Sequence, residues 1–294
     1  MEEPIFYRRE MQKPSNYEAL KNFFVVRRGN QSKLPDASIA IPVNAQGDLE
    51  TVLMVLGDIA KYKGVHTYEV ILAINNYPED RVPPEIELFQ SMGIIVAPTP
   101  SVRRPDEAVC FSARMTGVHA AHTDNLLLFD ADCRIPNSTA LIDWYIDRLH
   151  EGAGLAYTHV AYYDIKKDLS VWTRIFVHHS ARWVKRELLG IPTTRGGNYA
   201  VNRTKMLEYY DHNLLSDDLN VGPSFKSSGL PIVYSGKRQL VVITSGRVFT
   251  GGWSKLIRYL LYRLRYNLKM LPVGTDVTSR IQRGENNNRK VKAR

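Results

Sequence analysis

Apolar runs alternate with stretches whose apolar positions recur every three or four residues, and this alternation repeats from residue 38 to residue 150. Residues 38–43 read as a buried first strand. Pro42 and Asn44 suit a chain leaving the sheet, because proline cannot continue a central ladder. Residues 48–61 place Leu49, Val52, Leu53, Leu56 and Ile59 at helical spacing. Residues 69–74 form a second apolar run and end in Asn75-Asn76-Tyr77-Pro78. A helix over 84–92, a short strand at 94–96, a loop over 98–105 and a helix over 106–121 follow. That loop holds three prolines and two arginines.

The next run, Asn125-Leu-Leu-Leu-Phe-Asp130-Ala-Asp132, carries four apolar residues straight into two acids. An uninterrupted run of this kind suits a strand buried on both faces of a parallel sheet. Asn137-Ser138 can cap a helix over 139–150. Strand and helix alternating in this way predict an α/β fold, a mostly parallel sheet flanked by helices.

After Gly154 the pattern changes. Residues 155–163 read as one strand and 169–189 as one long helix carrying His178, His179 and Trp183. A turn at 193–198, a strand through Val201 and a helix from Thr204 come next. An acidic turn at 215–219 opens another helix, and 231–243 is strand-like. The chain thus divides into an N-terminal extension (1–34), a catalytic body (35–245) and a C-terminal segment (246–294).

Charge sharpens that division. The net charge is +9, but the stretch from Arg247 to Arg294 alone holds 12 basic and 2 acidic residues. The body is therefore close to neutral and the basic character belongs to the tail. A basic appendage on a neutral domain points to an acidic surface, anionic lipid or nucleic acid. Cys110 and Cys133 are the only cysteines, so no disulfide framework is implied and a reducing, cytoplasmic setting is expected. The N-terminus has no apolar core of a secretory signal.

Two carboxylates one residue apart at a strand mouth can share a hard divalent cation and a nucleotide. Alone, the same pair is what an acid-rich strand-to-turn junction shows. Four further stretches decide the reading. They are Ala37-Ser-Ile-Ala-Ile-Pro-Val-Asn44, Phe111-Ser-Ala-Arg114-Met-Thr-Gly117-Val-His-Ala-Ala121, Gly196-Gly-Asn-Tyr-Ala-Val-Asn-Arg203 and Ser216-Asp217-Asp218-Leu219. With Leu126-Leu-Leu-Phe-Asp130-Ala-Asp132 they stand in the order of the motifs of a family-2, GT-A-fold glycosyltransferase, which the chain resembles over about residues 37–245.

The resemblance implies an inverting hexosyltransferase using a nucleotide-diphosphate sugar and Mg²⁺ or Mn²⁺. It places Asp130 and Asp132 at the metal, with Asp130 also on the nucleotide. Pro42, Asn44, Asn75, Asn76, Gly197 and Asn198 fall at the donor site. Asn75-Asn76 stands where the family commonly has an Asp for the base, and an amide can still bind a base edge. No histidine follows His212, so water would complete the metal shell. Arg114, with Arg103 or Arg104, is expected to meet the diphosphate. Asp217 or Asp218 is expected to be the base that accepts the acceptor's proton, Asp217 aligning better. Without the resemblance, both acids read as an N-terminal helix cap.

The remaining candidates have plainer readings. Adjacent His178 and His179 do not share a helix face and read as surface or packing residues. Cys133 reads as small packing, and Arg195-Gly196-Gly197 as a tight turn. In the tail, Trp253, Leu256, Ile257, Leu260, Leu261, Leu264 and Leu268 form a helical stripe bordered by Lys and Arg. Residues 252–271 therefore either lie on an anionic membrane surface or pack on the body. The acceptor is unidentified: a glycan, a lipid-linked or a small-molecule hydroxyl. No nucleic acid partner is expected. Two rivals remain: a sugar-1-phosphate nucleotidyltransferase, which should carry a Gly-rich basic loop where Asn44-Ala-Gln-Gly stands, and a non-catalytic protein binding membrane or RNA.

Overall fold

The computed structural model describes residues 20, 34–76, 84–99, 104, 107–165, 168–195, 197–246, 249, 252–254, 257–258 and 260–261. The expectations for residues 1–33 other than Leu20, for Arg103, Gly196 and Leu256, and for the tail beyond 261 lie outside these residues.

The first half follows its hydrophobic pattern closely. β1 (Ala37–Asn44), α1 (Val52–Ala60), β2 (Tyr68–Asn75), α2 (Pro84–Ser91), β3 (Ile95–Pro98), α3 (Val109–Ala120), β4 (Asn125–Phe129) and α4 (Ser138–His150) succeed one another. β1 pairs in parallel with β2 and with β4, and β2 with β3. Leu126 through Phe129 expose no surface, as a strand covered on both faces requires. Alternate side chains go to opposite layers. Ile39, Ile41, Leu127 and Phe129 pack under α1 and α4. Ala40, Leu126 and Leu128 pack against Met115 and Val118 of α3.

The helix expected over 106–121 starts later, at Val109. Glu107 accepts from the Tyr210 hydroxyl at 2.9 Å, and Ala108 N–H donates to the Ser216 carbonyl at 3.0 Å. Those bonds to other segments hold the entry extended.

The second half departs more. The strand expected over 155–163 is two, β5 (Leu155–Thr158) and β6 (Val160–Tyr163), and the two lie in different sheets. The stretch 231–243 divides in the same way into β8 (Ile232–Ser235) and β9 (Val242–Ser245). β5 pairs with β8, and β6 with β9, with Gly236 to Val241 looped out opposite the single His159. β7 (Asn198–Asn202) enters between β4 and β5, antiparallel to both. The main sheet has the order β3-β2-β1-β4-β7-β5-β8, and β6-β9 forms a small second sheet.

The long helix runs to Leu188, almost the whole expected span, but changes type near its end. α5 (Leu169–Trp183) runs into a wider π turn, Val184–Leu188. α6 (Arg203–Asp211) and α7 (Asp218–Lys226) complete the layer on the α3 side.

Candidate functional site

Sheet order places the site. β2 and β3 lie to one side of β1 and β4 to the other, so the strand order reverses between β1 and β4. Ligands of open α/β sheets bind outside the carboxyl ends of strands at such a switch point. β1–β4 pairing covers Ser38 to Ala40 only. Pro42, which has no N–H to donate, follows where that ladder has ended, and the two strands part around a cavity.

The cavity measures about 430 Å³ and is lined by Pro42, Asn44, Asp48, Asn75, Asn76, Asp130, Asp132, Arg195, Thr244 and Ser245, among others. Six of the residues singled out in the sequence thus share one wall: Pro42, Asn44, Asn75, Asn76, Asp130 and Asp132. Asn76 stands at φ 55°, a left-handed conformation that asparagine tolerates better than most residues. Its amide donates to Asn44 Oδ1 at 3.4 Å. Asn75 is buried, and among the described residues its Oδ1 has no hydrogen-bond partner. A buried acceptor left unpaired costs about 1–3 kcal/mol, which a ligand donor reaching it would recover.

The two acids are held differently. Asp130 Oδ1 accepts from Arg114 Nη2 at 2.5 Å. Asp132 Oδ1 accepts from Thr244 Oγ1 at 3.1 Å, and its carbonyl from the Tyr163 hydroxyl at 3.0 Å. The antiparallel register puts Asn198 opposite Phe129, which brings Gly197 alongside Asp130. A β-carbon at Gly197 would stand 2.7 Å from Asp130 Oδ2. Glycine is required there for close approach rather than for a turn.

A divalent cation fits this donor set. Ligand atoms of Asp130, Asp132 and Cys133 all lie within 4.8 Å of one another, and two oxygens bound to one Mg²⁺ stand about 3–4 Å apart. Cys133 is the odd member. Burial, then the charges of Asp130 and Asp132, push its thiol well above the ordinary range, and its Sγ donates to the Gly197 carbonyl at 3.4 Å. It stays a neutral packing group. A hard cation would take the two carboxylates and complete its shell with water or phosphate oxygens.

Other predicted residues stand elsewhere. Arg114 is wholly buried beneath the acids and does not line the cavity; its Nε lies 2.8 Å from Asp218 Oδ1. Asp218 also accepts from the Tyr199 hydroxyl at 2.8 Å. Desolvation, the largest effect, outweighs Arg114 and raises the Asp218 carboxyl to about 6. Asp217 is the N-cap of α7, its Oδ1 accepting from Leu219 N–H at 3.1 Å. Neither acid lines the cavity. The amide of Asn198 is buried and bonds Tyr145, Thr158 and His159. Arg104 is engaged with Tyr210, 3.5 Å over its ring, and with Asp211.

Arg195 is the cavity residue that the sequence reading treated as part of a turn. Its guanidinium donates to the Tyr162 hydroxyl and lies 4.9 Å from that ring's centre. A cation just before the glycines that lead into the strand beside Asp130 was the available signal. Thr244 gave none: its link to Asp132 needs the second sheet. His178 and His179 pack against Tyr162, and His179 stacks on His159 at 5.2 Å. Burial first, then nearby positive groups, lower the His179 imidazole to about 4.

A mannosyltransferase from Pyrobaculum calidifontis, solved with GDP-Man and Mn²⁺, matches 92% of this chain and 77% of its own at 12% identity, with a TM-score of 0.52. The fold is that of the GT-A glycosyltransferases. GalNAc-T7, solved with UDP, GalNAc and Mn²⁺, matches 87% of this chain and 55% of its own, at 12% identity and a TM-score of 0.51. No protein-family model matches the chain, and no curated protein matches it in sequence. Among the described residues no helix is long and apolar enough to cross a membrane.

Proposed function

We propose that this chain is an inverting, metal-dependent glycosyltransferase that moves a sugar from a nucleotide-diphosphate donor to a hydroxyl acceptor. The observation that carries the reading is one cavity at the switch point of a GT-A sheet, with the Asp130–Asp132 pair, the Arg195 cation and the buried Asn75 Oδ1, unpaired among the described residues, in its wall. The two GT-A neighbours, solved with a nucleotide sugar or a nucleotide and with Mn²⁺, support it.

Asp130 and Asp132 would hold Mg²⁺ or Mn²⁺, which when bound supplies positive charge to the departing diphosphate. Asn75 Oδ1 offers an acceptor to an N–H or O–H of the nucleoside, with Asn44 and Asn76 beside it. Arg195 contributes a fixed cation to the same cavity wall. Asp217, outside the lining of this cavity, is the base that the motif resemblance assigns to the attacking hydroxyl, the hydrogen bond from Leu219 N–H holding its carboxylate in place. Asp218 serves as the counter-ion that ties α7, through Arg114, to Asp130. The partner surface read from residues 252–271 is an anionic membrane; Trp253, Ile257 and Leu261 are exposed at four-residue steps.

The test is release of nucleoside diphosphate from a panel of nucleotide sugars with Mn²⁺. Asp217→Asn should lower turnover about 10²- to 10⁴-fold, the usual contribution of a general base, and leave donor binding unchanged. Release of pyrophosphate from a nucleoside triphosphate and a sugar 1-phosphate, with no donor turned over, would favour the nucleotidyltransferase instead.

A further inference from the structure

Large apolar side chains are exposed in a concentrated way. Of thirteen among the described residues, ten lie within 169–189 or 253–261. Leu169, Trp172, Phe176 and Trp183 are 83%, 56%, 71% and 52% exposed. Steps of three, four and seven residues put them on one side of α5. Leu188 at the end of the π turn and Leu189 just after it are exposed as well. The opposite side of α5, Val171 and Ile175, packs on β6 together with Phe249.

A second ridge stands beside it. Arg174 of α5 donates to the Phe249 carbonyl at 2.9 Å, and its guanidinium lies 5.8 Å from the Trp253 ring. Trp253, Ile257 and Leu261 are the exposed members there, while Leu260 packs inward. Both ridges are set in basic sequence. Residues 169–189 hold Arg182, Lys185 and Arg186 besides the buried Arg174, against the single acid Glu187, which pairs with Arg186, and the stretch from Arg247 is strongly basic.

We infer that the outer face of α5, together with residues 253–261, docks on the surface of a bilayer containing anionic lipids. Contiguous exposed apolar surface marks an interaction site. Tryptophan beside Lys and Arg is the composition of an interfacial segment. Charge selects the occupant: a second copy would bring the same basic borders together, whereas anionic headgroups neutralise them. The docking stands independently of sugar transfer. Resting on the proposed function, it also assigns the acceptor class. Tyr162 packs against His178 and His179 of α5 and accepts from Arg195 in the cavity wall, so a docked α5 brings the lipid surface to that side of the cavity. The acceptor is then a lipid-linked hydroxyl.

The experiment is flotation of the full chain with phosphatidylcholine vesicles, with and without phosphatidylserine, some carrying brominated chains. Three of the four tryptophans, Trp172, Trp183 and Trp253, are exposed on these ridges, so quenching by bromine reports their insertion. Binding should require phosphatidylserine and be quenched by bromolipid. It should weaken at least about tenfold in Trp172→Ser/Phe176→Ser, since two aromatic side chains leave the apolar interface. The variant should keep its donor-induced rise in Tm, which separates loss of docking from loss of the site. Absence of flotation by the unaltered chain, or equal flotation by the variant, would overturn the proposal. So would a concentration-dependent dimer abolished by the variant, which would make the ridge a contact between copies.

Discussion

Arg114 exposes no surface, yet its guanidinium stands between Asp130 at 2.5 Å and Asp218 at 2.8 Å. Removing the cation from such a set leaves a buried charge uncompensated, at a cost of about 3–5 kcal/mol; Arg114→Met should therefore lower Tm and yield little folded protein. The adjacent acids of α7 differ in role. Asparagine caps a helix about as well as aspartate, so Asp217→Asn should leave Tm nearly unchanged while lowering transfer about 10²- to 10⁴-fold. Asp218→Asn replaces a carboxylate whose charged form burial already disfavours with a neutral amide, so it should leave Tm at pH 7 little changed and lower transfer less than Asp217→Asn does. The pH dependence has a definite sign. The unfolded Asp218 carboxyl loses its proton near 3.8 and the folded one near 6. Between these values the folded state binds more protons, so this group's contribution to stability is full below about pH 4 and declines as pH rises to about 6. Denaturant titrations across that window should show the decline, and Asp218→Asn should flatten it.

At the scale of elements, the first half was legible because each strand and helix shows one period. A strand buried on both faces, such as Leu126–Phe129, has a single reading once acids mark its end. The second half was less legible because residues 155–163 carry a continuous strand pattern while changing sheets at His159. Nothing local distinguishes a strand that continues from one that transfers its pairing. The antiparallel entry of β7 and the Thr244–Asp132 bond depend on pairings between distant segments, and no spacing encodes those. Arg114 was recognised as a cation for the site, but its burial is a property of three converging elements. The join between α7 and the segment carrying Arg195 gives a test at this scale. A β-carbon at Gly222 would meet the Pro192 carbonyl oxygen at 2.7 Å. Gly222→Ala should cost about 1–3 kcal/mol through overpacking, despite roughly 1 kcal/mol gained in helix propensity. Thermal unfolding would read the loss.

The whole molecule has two faces of different character: a polar cavity at the carboxyl ends of β1, β2 and β4, and an aromatic, basic ridge on the outer side of α5. The central claim concerns the cavity, that it binds a nucleotide-diphosphate sugar through a divalent cation on Asp130 and Asp132. A ligand that binds only the folded state raises Tm by mass action, by about 2.7 kcal/mol of stability at one hundred times its Kd. The direct measurement is thermal unfolding of the full chain against a panel of nucleotide sugars, each with and without Mn²⁺, repeated for Asp132→Ala. The account predicts a rise in Tm with at least one donor that requires Mn²⁺ and disappears in Asp132→Ala. A rise that is the same without the metal, or that survives in Asp132→Ala, would contradict it, as would no rise with any donor.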